Sequence, residues 1–506
     1  MTIAAAGASP RQTIRLASHT LVALVATLLV AAPVLAAGSL EKAISGALAD
    51  ARLGSSEVGY IVMDPATGEV LASQNEGRSF IPASNMKLLT SGAALLMLGP
   101  DFRFETTLEL AGDTLIIRGS GDPALADPTL LSRMHMSVDE LLDAWVEQLK
   151  AAGAKRINEI VLDERVFDQQ FVHPTWPADQ LNRRYCAEVW GLNFHANVIS
   201  VFASPARAEG ASPYVRLEPD APWMSLQNVA RTVKKGPNTL WVARPPLNNA
   251  MKLIGNVRWA TEEPVQVAIH DMPSEFGRML ATRIEKAGLG RAEVRRAGLD
   301  ETLPAGHLIS VVRTPMDVVL ERCNTDSYNL YAEALIKRMG HELTGQPGSW
   351  SSGASVIRML MQQRLGPREA ASLVVSDGSG MSRENQVTPR LVAGWLGSLY
   401  SEESIREAYL KSLAEPAESG TLERRFAGRR PALPVRAKSG YLNGVSSLSG
   451  YVFDPITERS LVFSVLINEI PGNLPFNRVK NFQEQVVLLT DAHLGALTGG
   501  LAGVSE

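Results

Sequence analysis

A chain of 506 residues is too long for one ordinary hydrophobic core, so it should divide into two or three domains. Hydrophobic residues at 45% and charged residues at 20% are the proportions of a globular protein and exclude wholesale disorder. With 49 basic against 53 acidic residues the net charge is −4, which excludes a surface that holds nucleic acid electrostatically.

Residues 1–36 read as a signal peptide. Arg11 and Arg15 precede the uncharged run "TLVALVATLLVAAPVLAA", which ends in small residues and suits cleavage after Ala36. A retained membrane anchor fits less well, because the run is barely long enough to span and contains Pro33. No cysteine follows it for a lipid anchor, so the expectation is a periplasmic protein with at most peripheral membrane contact. Two arginines and no acid leave with the leader, taking the balance from 49 against 53 to 47 against 53.

Leu40, Ile44 and Leu48 then repeat at helical spacing, and "VGYIVMDPATGEVLASQ" sets two alternating runs around an Asp-Pro-Ala-Thr-Gly turn, the pattern of a β-hairpin. "IPASNMKLLTSGAAL" follows, with Ser84 three residues before Lys87 at the head of an apolar helix pattern marked by Leu88, Ala93 and Leu96. A Ser-x-x-Lys arises by chance in a chain of this composition, and Ser39-Leu40-Glu41-Lys42 is a second copy that reads as helix capping. Ser84 could be the same. Its position at a helix N-terminus nevertheless favours a developing anion, and Lys87 one turn on could take its proton if burial lowers the lysine pKa.

From about 100 to 306 the texture changes. "SVDELLDAWVEQLKAAGAKRINEIVLDERVF" and "PSEFGRMLATRIEKAGLGRAEVRRA" each read as helix, Ala-Gly stop and short strand, with the strand candidates "NTLWVARP" and "VQVAIH" between them. This stretch reads as material inserted into a domain built from the two chain ends. The expected division is 37–100 and 307–496 for the catalytic domain, 101–130 and 213–306 for inserted domain II, 131–212 for inserted domain III, and 497–506 for a flexible tail.

Downstream, "NTDSYNLYAEALIKRM" places Ser327 and Asn329 ahead of an apolar helix pattern, and "VRAKSGYLNGVSSLSGYVF" places Lys438-Ser439-Gly440 where an edge strand would begin. "SSLSGYVFDPITERSLVFSVLINE" repeats the hairpin device of the N-terminal end, and "NRVKNFQEQVVLLTDAHL" closes as an amphipathic helix. None of the eight histidines stands in a G-x-S-x-G or H-E-x-x-H setting, so neither a histidine base nor zinc is indicated and no metal or cofactor is expected. Cys186 and Cys323, 137 positions apart, are the only cysteines; a disulfide is neither required nor forbidden, and Cys323 reads as a core or loop residue.

Ser-x-x-Lys, Ser-x-Asn and Lys-Ser-Gly in that order resemble the motifs of the β-lactamases and penicillin-binding proteins. With "RGSGDPAL", "VWGLNFHANVIS" and "SDGSGMSRENQVTP", and 243 positions between Ser84 and Ser327, the mature chain is similar over nearly all its length to the class C low-molecular-mass penicillin-binding proteins, the penicillin-binding protein 4 type. The resemblance implies an α+β fold: a β-lactamase/transpeptidase-like antiparallel sheet flanked by helices, with two additional domains between the first and second motifs. A compact β-lactamase has no room for that gap.

The implied activity is a serine-type D-Ala-D-Ala carboxypeptidase acting on peptidoglycan stem peptides, with DD-endopeptidase action left open and β-lactam antibiotics as covalent ligands. Ser84 would be the nucleophile, Lys87 its base, Ser327 and Lys438 a proton relay, and Asn329 a clamp on the peptide backbone. Ser439 and Lys438 would meet the terminal carboxylate, and the N–H groups of Ser84 and Tyr441 would form the oxyanion hole. Gly440 would let the ligand approach the strand. The third motif departs from the usual Lys-Thr-Gly, and Tyr441 stands where threonine is common, which puts substrate preference in doubt. In "DGSGMSREN", Asp377 and the glycines read as a tight turn, and Arg383 as a residue that could bind a diaminopimelate carboxylate or form a structural ion pair. The rival reading is a wall-binding protein whose chemistry has decayed. Oligomeric state is not legible.

Overall fold

The computed structural model describes residues 39–502, with side chains as far as 497. The expected signal peptide lies outside the described residues. Among these, no helix is long and apolar enough to cross a membrane.

The two chain ends build one sheet. Its antiparallel strands run in the order Val435–Leu442, Val445–Phe453, Ser460–Asn468, Glu57–Met63, Val70–Gln74. The central pair, Glu57–Met63 against Ser460–Asn468, is almost entirely buried, because apolar residues occupy both faces of each strand. Alternation decides where they go. Tyr60, Val62, Val465 and Ile467 pack with Phe482, Val486 and Val487 of the closing helix Phe476–Ala502 and with Leu40 and Ile44 of the helix over 39–51. Ile61, Met63, Val462 and Leu466 face the other way, onto Leu88 of the helix Met86–Leu98 and onto Trp395 and Leu396 of Pro389–Tyr400.

Both hairpins turn on the same device. Asp64 accepts the backbone N–H groups of Ala66 and Thr67 at 2.8 and 3.2 Å, and Asp454 accepts that of Ile456 at 2.9 Å. Gly68, with φ of 74°, completes the first turn in a conformation that favours glycine.

The inserted material folds around a mixed five-stranded sheet ordered Glu293–Arg296, Glu159–Asp163, Thr114–Gly119, Arg103–Ala111, His307–Pro315. The two helix-stop-strand units of the sequence are the helices Val138–Ala151 and Met272–Lys286 with the strands Glu159–Asp163 and Glu293–Arg296, which lie side by side and parallel. Three strand pairings cross the expected divisions. Glu159–Asp163, from the stretch 131–212, pairs in parallel with Thr114–Gly119. Tyr214–Glu218 pairs with Val198–Ser204 across position 212. His307–Pro315 pairs with Arg103–Ala111, so the inserted sheet runs past 306. Turn and stop residues mark where an element ends, whereas strand pairing joins positions far apart and leaves no local mark. The closing helix likewise continues to Ala502, into the expected flexible tail: the Gly499-Gly500 pair weakens a helix without forbidding it.

A buried cluster ties the insertion to the helices that carry the Ser-x-Asn motif. Asp127 caps the helix Pro128–Arg133 and also accepts Arg322 Nη2 at 2.9 Å and Tyr331 Oη at 2.7 Å. Asp122 accepts the Thr314 hydroxyl at 2.7 Å, and burial raises its pKa to about 6. Much of the "RGSGDPAL" and "VWGLNFHANVIS" signatures serves packing. A Cβ on Gly119 would sit 2.2 Å from the Gly191 carbonyl, and one on Gly191 would sit 1.9 Å from that of Glu164.

Candidate active site

Ser84 occupies a 3-10 turn, Ala83–Asn85, that leads directly into the helix Met86–Leu98. Neither helix start has a side-chain cap, so the Ser84 hydroxyl is not spent on capping. It faces Lys87 Nζ at 3.1 Å. Lys87 is fully buried, and its Nζ also donates to Asn329 Oδ1 at 2.7 Å and to the Ser379 carbonyl at 2.9 Å. Burial lowers the lysine pKa to about 8, an effect partly offset by Cys323, Glu333 and Asp377 nearby.

Ser327 stands between two helices, Met316–Asn324 and Asn329–Thr344, and Asn329 opens the second. Ser327 has φ of 61°, an uncommon conformation for a residue with a Cβ and one that costs about 1–3 kcal/mol unless the surroundings impose it. They do impose it. Asn324 Nδ2 donates to the hydroxyls of Ser91 and Ser412, the Thr325 hydroxyl donates to the Ser412 carbonyl, and Tyr328 N donates to the Arg322 carbonyl. Asn329 is held at both ends of its amide, since Nδ2 donates to the Tyr185 carbonyl at 2.8 Å.

Lys438, Ser439, Gly440 and Tyr441 lie on Val435–Leu442, at the edge of the catalytic sheet as the sequence suggests. Lys438 is fully buried, and both burial and the proximity of Lys87 push its pKa well down. Its Nζ donates to the Ser439 carbonyl at 2.8 Å. Gly440 is required by close approach: a Cβ there would sit 2.2 Å from Ser447 Oγ and 2.8 Å from the Ser84 backbone nitrogen. Asn85 Nδ2 donates to the Lys438 carbonyl at 3.1 Å and the Ser447 hydroxyl to the Pro82 carbonyl at 2.7 Å, so the edge strand is bolted to the Ser84 turn. The Ser439 hydroxyl donates to Thr421 Oγ1 at 2.9 Å. Tyr441 is 62% exposed and meets the Phe476 ring edge-to-face at 5.0 Å.

A cavity of about 450 Å³ opens over these residues, lined by Ser84, Ser327, Asn329, Tyr441 and Arg383 among others. Lys87 contacts two of the lining residues, Ser84 and Asn329, and Lys438, Ser439 and Gly440 lie on the strand that brings Tyr441 to the cavity. Arg383 is exposed at the rim, where Nη2 donates to the Asn443 carbonyl. It forms no ion pair among the described residues, which leaves out one of the two alternatives held open for it.

Several contributors were not legible. Asp377 does shape a turn, but through four contacts: it accepts Gly380 N at 2.8 Å, Ser382 N at 2.6 Å, Asn385 Nδ2 at 2.8 Å and Trp176 Nε1 at 2.9 Å. The loop so fixed carries the Ser379 carbonyl that binds Lys87. Glu333 braces it from below, accepting the N–H groups of Gly378 and Ser379 at 2.9 and 2.8 Å and Trp350 Nε1 at 2.7 Å. Burial raises the Glu333 pKa to about 7. A glutamate on the apolar stripe between Leu330 and Ala334 was its one sequence signal. Pro177, Gln180 and Tyr185, from the insertion, complete the rim without any signal of their own. Cys186 and Cys323 are both free and buried, which resolves the open question of pairing.

A serine held by a desolvated lysine beneath an edge strand, on a sheet clasped by helices, defines the class: a serine hydrolase of the β-lactamase/transpeptidase-like, α+β fold. The chain belongs to the D-Ala-D-Ala carboxypeptidase 3 (S13) family, whose sequence profile matches residues 40–493. It is 32% identical over 482 residues to the D-alanyl-D-alanine carboxypeptidase of Actinomadura sp. (strain R39), covering 89% of this chain and 86% of that one. It is 24% identical over 444 residues to the D-alanyl-D-alanine carboxypeptidase DacB of Haemophilus influenzae, covering 82% and 85% of the two chains. The crystal structure of penicillin binding protein 4 (dacB) from Haemophilus influenzae superposes with a TM-score of 0.72 at 20% identity, over 88% of this chain and 99% of that one, a likeness of fold.

Proposed function

We infer that the protein is a periplasmic serine D-Ala-D-Ala carboxypeptidase working on peptidoglycan stem peptides through an acyl-enzyme. The observation that carries the reading is Lys87 Nζ, buried and 3.1 Å from Ser84 Oγ. A lysine pKa near 8 makes the neutral amine accessible, and that amine takes the Ser84 proton as Oγ attacks the carbonyl between the two D-alanines. The oxyanion is stabilised by the backbone N–H groups of Ser84 and Tyr441, which the contact at Gly440 draws together.

Ser327 passes a proton between Lys438 and the departing amine. Asn329 Nδ2 has a second N–H beyond the one given to Tyr185, and it binds the peptide backbone. Ser439 and Lys438 hold the terminal carboxylate. Water then hydrolyses the ester, and penicillin, whose strained amide acylates the same serine, leaves it slowly. Cleavage of a peptide cross-link uses the same D-D bond and the same steps. The catalytic unit on this reading comprises the N-terminal segment to about 100 and the chain from Met316 onward, the rest being inserted.

A fluorescent penicillin and a D-Ala-D-Ala peptide test the reading together. The expected result is a stable adduct and release of D-alanine, both lost in Ser84→Ala. Rapid penicillin turnover indicates a β-lactamase, and absence of labelling a decayed protein. Digestion of purified sacculi, with monomers and dimers tracked separately, measures the endopeptidase share.

A further inference from the structure

The carboxylate subsite is one hydroxyl short. Ser439 supplies one, but Tyr441, two residues on and on the same face of the strand, carries its hydroxyl at the far end of a ring that leans on Phe476. A threonine there would hold its hydroxyl next to the backbone, and the tyrosine cannot. A carboxylate has two oxygens to satisfy, and hydrogen bonds to a charged group are the ones whose loss is felt.

We propose that Thr421 supplies the missing hydroxyl, from outside the strand. It sits in the 3-10 turn Gly420–Leu422, solvent-exposed, with Oγ1 2.9 Å from Ser439 Oγ. Ser439 is the donor in that contact, and the Thr421 proton has no acceptor among the described residues. Approach of a carboxylate lets the two hydroxyls turn and donate to its two oxygens, beside the strand that also carries Lys438.

The turn is built to keep Thr421 in place. Gly420 has φ of 50°, and a Cβ there would lie 2.1 Å from the Thr325 carbonyl, to which Thr421 N donates at 3.1 Å. Leu422 is fully buried behind it. Just upstream, Ala414 and Ala437 exchange both backbone hydrogen bonds, at 3.1 and 3.0 Å, which closes the edge strand against this segment. Thr421 therefore stands fixed between the loop that leads to Ser327 and the strand that carries Ser439.

The inference rests on the carboxypeptidase reading, and the test separates the two. Wild type, Thr421→Val and Thr421→Ser are compared on an acylated D-Ala-D-Ala dipeptide and on a thioester analogue whose leaving group lacks a carboxylate. Acylation by benzylpenicillin and by its methyl ester is measured in parallel. Thr421→Val should lose roughly tenfold in kcat/KM on the dipeptide and in acylation by benzylpenicillin, the scale of one hydrogen bond to a charged group. It should stay within about twofold of wild type on the thioester and the methyl ester, and Thr421→Ser should recover most of the loss, because the serine keeps the donor. Equal losses on charged and uncharged partners, or no loss on either, overturn the role of Thr421. A wild type acylated by benzylpenicillin that leaves the dipeptide intact overturns the carboxypeptidase reading instead, and the penicillin pair then decides Thr421 by itself.

Discussion

The floor of the cavity and its rim are built by opposite rules. Lys87, Lys438, Glu333 and Asp377 are fully buried, and the polar atoms of Lys87, Glu333 and Asp377 are engaged by elements far apart in the chain. At the rim, Tyr441 is mostly exposed, Arg383 reaches only the Asn443 carbonyl, and Tyr185 comes from the insertion. Proton transfer needs groups held within hydrogen-bond reach in a dry setting, which only a packed floor provides. Recognition of a peptide tolerates a looser frame, so the rim is where an insertion or an unusual residue such as Tyr441 is accommodated.

The comparison breaks most sharply at Lys87. Lys87→Ala should lower the rate of acylation by about 10²–10⁴-fold, the usual contribution of a positioned base, while leaving the overall fold intact by circular dichroism. The pH profile tests the same residue without a mutation. On the proposed mechanism the base is the unprotonated amine, and burial brings its pKa down to about 8, so acylation should rise with pH through a midpoint near that value and fall away below it. A rate flat across this range would mean that Lys87 does not take the proton.

Asp377 comes next, because the floor depends on its four contacts. Asp377→Ala orphans buried donors on Gly380, Ser382, Asn385 and Trp176, at about 1–3 kcal/mol for each that stays unsatisfied. A lower denaturation midpoint should accompany slower acylation, since the same loop presents the Ser379 carbonyl to Lys87. A stable variant with normal acylation would show that Glu333 holds the loop without help.

Rim substitutions should be milder and depend on the substrate. Arg383 is solvent-exposed, so its pairing with a carboxylate is screened and small. Arg383→Ala should cost roughly fivefold or less on stem peptides with a diaminopimelate carboxylate, less still at high salt, and nothing on a simple D-Ala-D-Ala peptide. Equal losses on both peptides would assign Arg383 to holding the Asn443 loop.

What was legible divides along the same line. Ser84, Lys87, Ser327, Asn329 and Lys438 could be picked out because they stand in short motifs of fixed local spacing. The hairpins could be read because alternation and Asp-Pro-x-Thr turns are local. Glu333, Ser379 and Tyr185 act through backbone groups or through burial, and no residue type encodes a carbonyl that accepts from a side chain more than a hundred positions away. Strand partners were not legible for the same reason: pairing of Glu159–Asp163 with Thr114–Gly119, or of His307–Pro315 with Arg103–Ala111, is settled in three dimensions.

The two thiols probe the floor with the smallest expected effect. Cys323 lies in the core close enough to Lys87 for each to affect the other's charge, yet burial raises its pKa to about 12, as it does for Cys186. The thiolate is the reactive species, so a native protein at mildly alkaline pH should resist iodoacetamide at both positions, while the denatured chain takes up two equivalents. Acylation of Ser84 by penicillin should be unchanged after such treatment. Rapid native labelling of Cys323, with loss of acylation in step, would mean that the floor opens on the time scale of the reagent. Its lysines would then be hydrated part of the time, and the low Lys87 pKa that makes the base accessible could not be sustained by burial alone.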